Sequence, residues 1–239
     1  MNNKKNLISV ITKREIQSYY SSIVAYLVTM IFLIITGVFF YSTFFLAKRA
    51  ELRQFFSLLP LTFAVTIPAI TMRLFAEEQK SGSIETLMTL PVTETQVVLG
   101  KFFASWITSA AMLIPTLFYV ITLLFFGKPD FGPIIGGYAG AVILCAVYSS
   151  IGIFASSVSK NQITSLFIAL AINAVITFIN SFLIFLPGKI VNFLSFIAIV
   201  PHFNSIARGI IDTRDIVYFL SITVIFILAT IHVQEARRR

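Results

Sequence analysis

An all-α integral membrane protein is the fold class this sequence predicts, and three observations predict it. Of 239 residues, 57% are hydrophobic and only 12% are charged, against about a quarter charged in soluble domains. Mean hydropathy is +0.91. The apolar residues are gathered into six runs, about 24–46, 55–75, 102–126, 134–158, 163–186 and 216–232. A bilayer core roughly 30 Å thick takes about 20 apolar residues per helical span, so six transmembrane helices account for nearly all of residues 1–239. A single transmembrane domain is expected, with no separate soluble one.

The elements follow in chain order. MNNKKNLISVITKREIQSYY is polar and basic, and the apolar run behind it is too long for a signal peptide and has no small-residue cleavage site. Residues 4–20 read either as an interfacial helix or as a plain basic flank. Leu7, Ile8, Val10 and Ile11 share one face, but Ile16, Tyr19 and Tyr20 drift round to another. Pro60 and Pro68 in the second span and Pro115 in the third are expected to kink their helices. Such kinks are tolerable where neighbours satisfy the freed carbonyls.

Between the second and third spans lies the longest polar break, FAEEQKSGSIETLMTLPVTETQVVLGK, from Phe75 to Lys101. Arg73 closes the second span, and Glu77 and Glu78 follow. Ser81-Gly82-Ser83 forms a turn in which Ser83 can N-cap a helix from Ile84. Glu85 then falls in the first turn, where the helix dipole favours a carboxylate. Ile84, Leu87, Met88 and Leu90 supply apolar contacts, and Pro91 ends the element. The predicted helix, 83–91, has about two turns and is roughly 11 Å long. So short a helix has no independent stability, so it must pack on the protein's own span ends or on a partner. Leu87 and Met88, rimmed by carboxylates, would suit a groove in a cytosolic partner; an ordinary amphipathic loop is the other reading. Gly100 allows a close approach, and Lys101 is expected at the headgroups.

In the fourth span Gly136, Gly137, Gly140, Ala141, Cys145 and Ser149 form a small-residue ridge suited to close helix packing. Asn173 and Asn180, two turns apart in the fifth, can hydrogen-bond across helices or touch a substrate. IVNFLSFIAIV, residues 190–200, covers roughly 16 Å, about half the hydrocarbon thickness. It reads as a re-entrant or interfacial helix ending at Pro201, with a short piece after it, so that 190–211 is a re-entrant segment. Arg208, Asp212, Arg214 and Asp215 form a charged cluster after His202, open to local salt bridging or to contact with a substrate or partner.

Several function classes are excluded. The six spans contain no Asp, Glu or Lys, with Arg73 and His232 only at their ends, so they lack the ionisable relay of a proton-coupled pump and the groups of an intramembrane hydrolase. Gly100-Lys101 is followed by Phe102 and has no glycine loop before it, so no P-loop is present. Cys145 is the single cysteine, and His202 and His232 fall on opposite sides of the membrane, so neither a disulfide nor a metal site is expected. The formal charge of +8 flanks the spans rather than forming a nucleic-acid patch. Eleven lysines and arginines lie on the side of the N-terminus, the polar break, Lys160 and Arg237–Arg239, against seven on the other. That bias favours cytoplasmic termini and a cytoplasmic Phe75–Lys101 break.

The break RLFAEEQKSGSIETLMTLPVTETQVVLGK, lying between the second and third of six spans, resembles the signature of ABC-2-type permeases. The opening ITKREIQSYYSSIVAYLV is similar to the same family. PHFNSIARGIIDTRDIVYFL most closely resembles permeases associated with gliding motility. The resemblance extends over essentially the whole chain. It implies that 83–91 is a coupling helix seated in a cleft of a separate ATPase, with Glu77, Glu78, Gly82, Ser83, Glu85, Leu87, Met88 and Pro91 at the contact. It also implies an interface helix at the N-terminus, around Lys13, Arg14 and Glu15, touching the same ATPase. The re-entrant segment would carry Pro201, His202, Arg208, Gly209, Asp212, Arg214 and Asp215. ATP and Mg would be bound by the partner and no cofactor by this chain, which would itself be a non-catalytic exporter subunit. Two permeases, alike or different, would assemble with two ATPases in a bacterial inner membrane, among lipids and with room for a periplasmic auxiliary protein. An autonomous carrier or channel is the alternative from another class, although no internal repeat or buried charge supports it. A membrane scaffold driven by an ATPase without solute transport is a third.

Overall fold

The computed structural model describes residues 3–46, 51–82, 92–127, 129–182, 196–210 and 212–238. The expected coupling helix 83–91 and the first residues of the re-entrant segment lie outside them. Among the described residues the protein is all-helical: α1 (Asn3–Tyr20), α2 (Ile23–Tyr41), α3 (Arg53–Thr71), α4 (Ala76–Ser81), α5 (Glu94–Ala111), α6 (Leu117–Phe126), α7 (Phe131–Val158), α8 (Gln162–Phe182), α9 (Ile199–Ala207) and α10 (Thr213–Arg238). Five stretches among the described residues are long and apolar enough to cross a membrane: 23–46, 53–81, 131–158, 162–181 and 213–237. This is an integral membrane helical protein.

The segment expected as one span over 102–126 is instead divided between two helices, α5 and α6. Thr93 starts α5 with a capping box: the Gln96 N–H donates to Thr93 Oγ1, and Gln96 Oε1 accepts from the Thr93 N–H at 3.2 Å. Pro115 has no N–H to continue the ladder. The chain crosses this gap through tight turns, with Leu113, Ile114 and Thr116 each donating three residues back, before α6 resumes. Starting α5 at Glu94 also moves Lys101 two turns into the helix, away from the span end where the sequence suggested it.

At the other end of the polar break the second span runs on. After a turn over residues 72–75, α4 continues the chain, and Gly82 caps it in the left-handed conformation (φ 73°), which only glycine adopts at no steric cost. The turn is held by Ser156 of α7, whose hydroxyl accepts from the N–H groups of Phe75 and Ala76 at 3.0 and 3.1 Å and donates to the Met72 carbonyl.

Helix α7 is the hub, apolar all round and packed against α3, α5, α8, α9 and α10. Its small-residue ridge makes this possible. Gly136 sits against the Ile206 carbonyl and Gly209, and Gly140 sits under Ile206 and Phe203, so α9 lies where a larger side chain would stand. Outside the hub, α2, α8 and α10 present Ile31, Val38, Phe167, Val175, Leu220 and Val224 outward, an apolar surface suited to lipid.

Candidate functional site

Two polar constellations stand at opposite ends of the bundle. At one end α1 crosses the start of α5. Gly100 lets the two backbones meet: a Cβ there would come within 2.6 Å of Ile11 Cγ2. Thr12 Oγ1 donates across the contact to the Gly100 carbonyl at 3.1 Å. The α1 residues Ile11 and Ile16 pack against the core, and Tyr19 is buried with its hydroxyl donating to the Ile70 carbonyl at 3.2 Å. The drift of apolar residues round α1 thus serves two contacts, α5 on one side and the end of α3 on another.

This docking places Lys101, which is 1% exposed, in a cage of acceptors. Its ammonium donates to Glu15 Oε1 of α1 at 3.2 Å, to Glu78 Oε1 of α4 at 2.8 Å and to the Leu74 carbonyl at 2.7 Å. These three bonds use all of its protons. The Phe75 ring lies 5.1 Å from the same ammonium. Arg14 reaches Glu15 Oε1 at 2.9 Å and Glu78 Oε1 at 3.5 Å. Burial by itself would raise the Glu15 pKa, but Lys101 and Arg14 outweigh it and hold the carboxyl below the usual range. Arg73 stacks on the Tyr19 ring at 4.6 Å. Between α1 and α4 a cleft of about 380 Å³ remains, lined by Arg14, Glu15, Ser18, Arg73, Glu77 and Glu78 among others.

Of the residues the sequence singled out here, Glu78 turns inward to Lys101, whereas Glu77, Lys13 and Arg14 are exposed. Gly82 is the last described residue before 83–91. Ser83, Glu85, Leu87, Met88 and Pro91 lie outside the described residues. What sequence reading missed is Lys101: the apolar run from Val97 drew attention to a span boundary, while the Thr93-x-x-Gln96 capping box already set the helix start eight residues earlier.

At the far end, His202 Nδ1 lies 2.6 Å from Asp215 Oδ1, and its Nε2 lies 3.2 Å from the Phe196 carbonyl. Its ring stacks on Tyr218 at 4.1 Å, and the Tyr218 hydroxyl bonds the Ile197 carbonyl. Pro201 does not end a helix as expected. It stands in the first turn of α9, where a missing N–H breaks no bond. Asp212 accepts from the Arg214 N–H at 2.9 Å. Gly209 (φ 85°) closes on the Gly132 backbone. Arg208 and Arg214 are exposed and form no ion pair among the described residues. The charged cluster is thus a histidine–aspartate clasp between α9 and α10 and a capped helix start.

Among the described residues no group of three or more His, Cys, Asp or Glu could hold a metal ion, and the buried charges at the first end are committed to one another. A multi-pass helical membrane protein with a tightly clamped polar end is the class this arrangement defines. The chain matches the ABC-2 family transporter proteins over residues 53–235, and it belongs to that family, as a membrane permease subunit of an ABC transporter. No curated protein matches it.

Proposed function

We propose that this chain is the membrane-spanning half of an ABC exporter, driven by a separate ATPase that docks on the face formed by α1, α4 and residues 83–91. One observation carries the reading: α1 and both flanks of 83–91 are gathered at a single end of the bundle and tied together there through Lys101. A partner at that end would meet exposed Lys13, Arg14 and Glu77 together with the Leu87 and Met88 segment. ATP and Mg belong to that partner, and this chain transmits its motion. The lysine and arginine bias supports a cytoplasmic location for this end and for both termini, in a bacterial inner membrane. Two permease chains with two ATPases form the working unit, and the α9–α10 clasp stands on the opposite side, where a periplasmic protein could reach Arg208 and Arg214.

Capture of the tagged chain from its native membrane in mild detergent, with mass spectrometry of what accompanies it, tests this. A stoichiometric P-loop subunit that is lost from Glu85→Lys/Leu87→Ala chains supports both the transporter role and the docking face. A chain that emerges without any nucleotide-binding partner, under conditions that preserve other membrane complexes, overturns the proposal.

A further inference from the structure

We propose that Lys101 is a positioning residue that locks α1, α4 and α5 into one mechanical body, so that displacement of residues 83–91 is delivered to the membrane helices through both ends of that segment together. The inference deepens the docking reading and rests on it for its purpose, but not for its test.

The segment 83–91 is bracketed by α4, which ends at Ser81, and by α5, which Thr93 caps. Were these flanks independent, a push on the segment would be absorbed by hinging at Gly82 and at Thr93. The Glu78–Lys101 bond instead joins the first turn of α4 to a point two turns into α5, across 23 residues of sequence. Glu15 brings α1 onto the same ammonium, and the Thr12 bond to the Gly100 carbonyl fixes α1 one residue away. From this body, a second set of bonds leads into the membrane: Ser156 holds the turn before α4, and Gln79 Nε2 donates to the Ser157 carbonyl at 3.0 Å. Both serines lie on the hub helix α7. A path therefore runs from the segment's flanks to α7 without passing through a hinge.

The chemistry explains why a lysine stands there. A buried ion pair adds little net stability over well-packed apolar residues, because desolvation offsets the Coulomb gain. Its effect is on geometry: the ammonium has three directed donors, and here they point at α1, at α4 and at the carbonyl of Leu74 before α4. Two cations, Lys101 and Arg14, face two carboxylates, Glu15 and Glu78, so loss of any one unbalances the charge of the group. An apolar residue would fill the space while letting the three helices slide.

Hydrogen exchange on the full chain in lipid nanodiscs, without the ATPase, tests the lock. In the wild type, with exchange followed under increasing denaturant, the amides of 8–19 and of 76–81 should open with the same free energy, as one cooperative unit. In the Lys101→Met/Glu15→Gln/Glu78→Gln chain, which removes the buried charges and leaves only the exposed Arg14 of the cluster, exchange in both segments should rise together, on the order of tenfold, while α7 keeps its protection. Different opening energies in the wild type, or a triple variant in which one segment or neither changes, would overturn the lock. The wild-type measurement stands even if the variant does not fold. Because no ATPase is present, failure here leaves the docking reading to be judged by capture, and failure of capture leaves the lock to be judged here.

Discussion

Asn173 Nδ2 lies 3.3 Å from the carbonyl oxygen of Ala64, and that carbonyl is the one Pro68 deprives of its helical donor. In a regular helix the N–H of residue 68 would bond the oxygen of residue 64; proline has none. A carbonyl left unpaired in the apolar interior costs on the order of 1–3 kcal/mol, so the fifth span supplies the donor the second lacks. Asn173→Leu is therefore expected to destabilise the protein by about 1 kcal/mol, allowing for the modest size of such bonds inside membranes. Pro68→Ala restores the missing N–H, so the Pro68→Ala/Asn173→Leu chain should recover most of the loss. Thermal unfolding in detergent of the four chains of this cycle measures it; strict additivity would refute the pairing.

Gly152 sets the distance between α3 and α7. A methyl there would overlap Thr71 Oγ1 and come within 2.8 Å of Thr71 Cβ, and Thr71 is itself held by its bond to the Ile67 carbonyl. Gly152→Ala should cost roughly 1–3 kcal/mol through overpacking, even though alanine is the better helix former. Gly82→Ala makes the useful comparison. No atom lies within 4 Å of a Cβ at that position, so only the left-handed backbone is penalised, by roughly 1 kcal/mol. Unfolding midpoints should fall further for Gly152→Ala than for Gly82→Ala.

These two cases show what sequence made legible and what it did not. Hydropathy located the five stretches that are long and apolar enough to cross a membrane among the described residues, because burial in lipid demands about twenty apolar residues whatever the neighbours. Pro68 and Asn173 were each recognisable as a kink and a polar bridge, and only their pairing needed three dimensions. The ridge Gly136-x-x-x-Gly140 announced close packing without naming α9 as its partner. Lys101 was hidden for a different reason. A single lysine beside an apolar run looks like a headgroup anchor unless a far carboxylate is known to meet it, and Glu15 and Glu78 are 86 and 23 residues away. The His202–Asp215 clasp lay within a cluster already noted, but charge alone suggested arginine partners where a histidine ring had the geometry.

Acid should weaken the docking of α1. The Glu15 carboxyl has its pKa held below the ordinary 4.5 in the folded protein, where Lys101 and Arg14 outweigh burial. The stabilisation from its charged form is therefore present in full above that ordinary value. It is lost as pH falls below 4.5 through the depressed folded value. The Tm of the wild type minus that of Glu15→Gln should be constant between pH 7 and pH 5, and should shrink as pH drops below 4.5. A difference that stays level below pH 4.5, or that grows there, would show that Glu15 is not held in its charged form by these neighbours.

The clasp at the far end makes the last prediction. His202 joins Asp215 of α10 to the chain just before α9, and its ring packs on Tyr218. His202→Phe keeps an aromatic ring against Tyr218 but removes both nitrogen contacts. Asp215 is buried and its Oδ2 has no partner among the described residues, so losing the Oδ1 contact strands the carboxylate at a cost of on the order of 1–3 kcal/mol. Asp215→Asn should be milder, since an amide can still bond the imidazole. His202→Phe/Asp215→Leu should be more stable than His202→Phe alone, because the stranded charge is gone. Heating detergent-solubilised chains and measuring the surviving monodisperse fraction orders the variants. If His202→Phe proves as stable as the wild type, the histidine is a surface ring beside α10 and not the clasp that holds α9 to it.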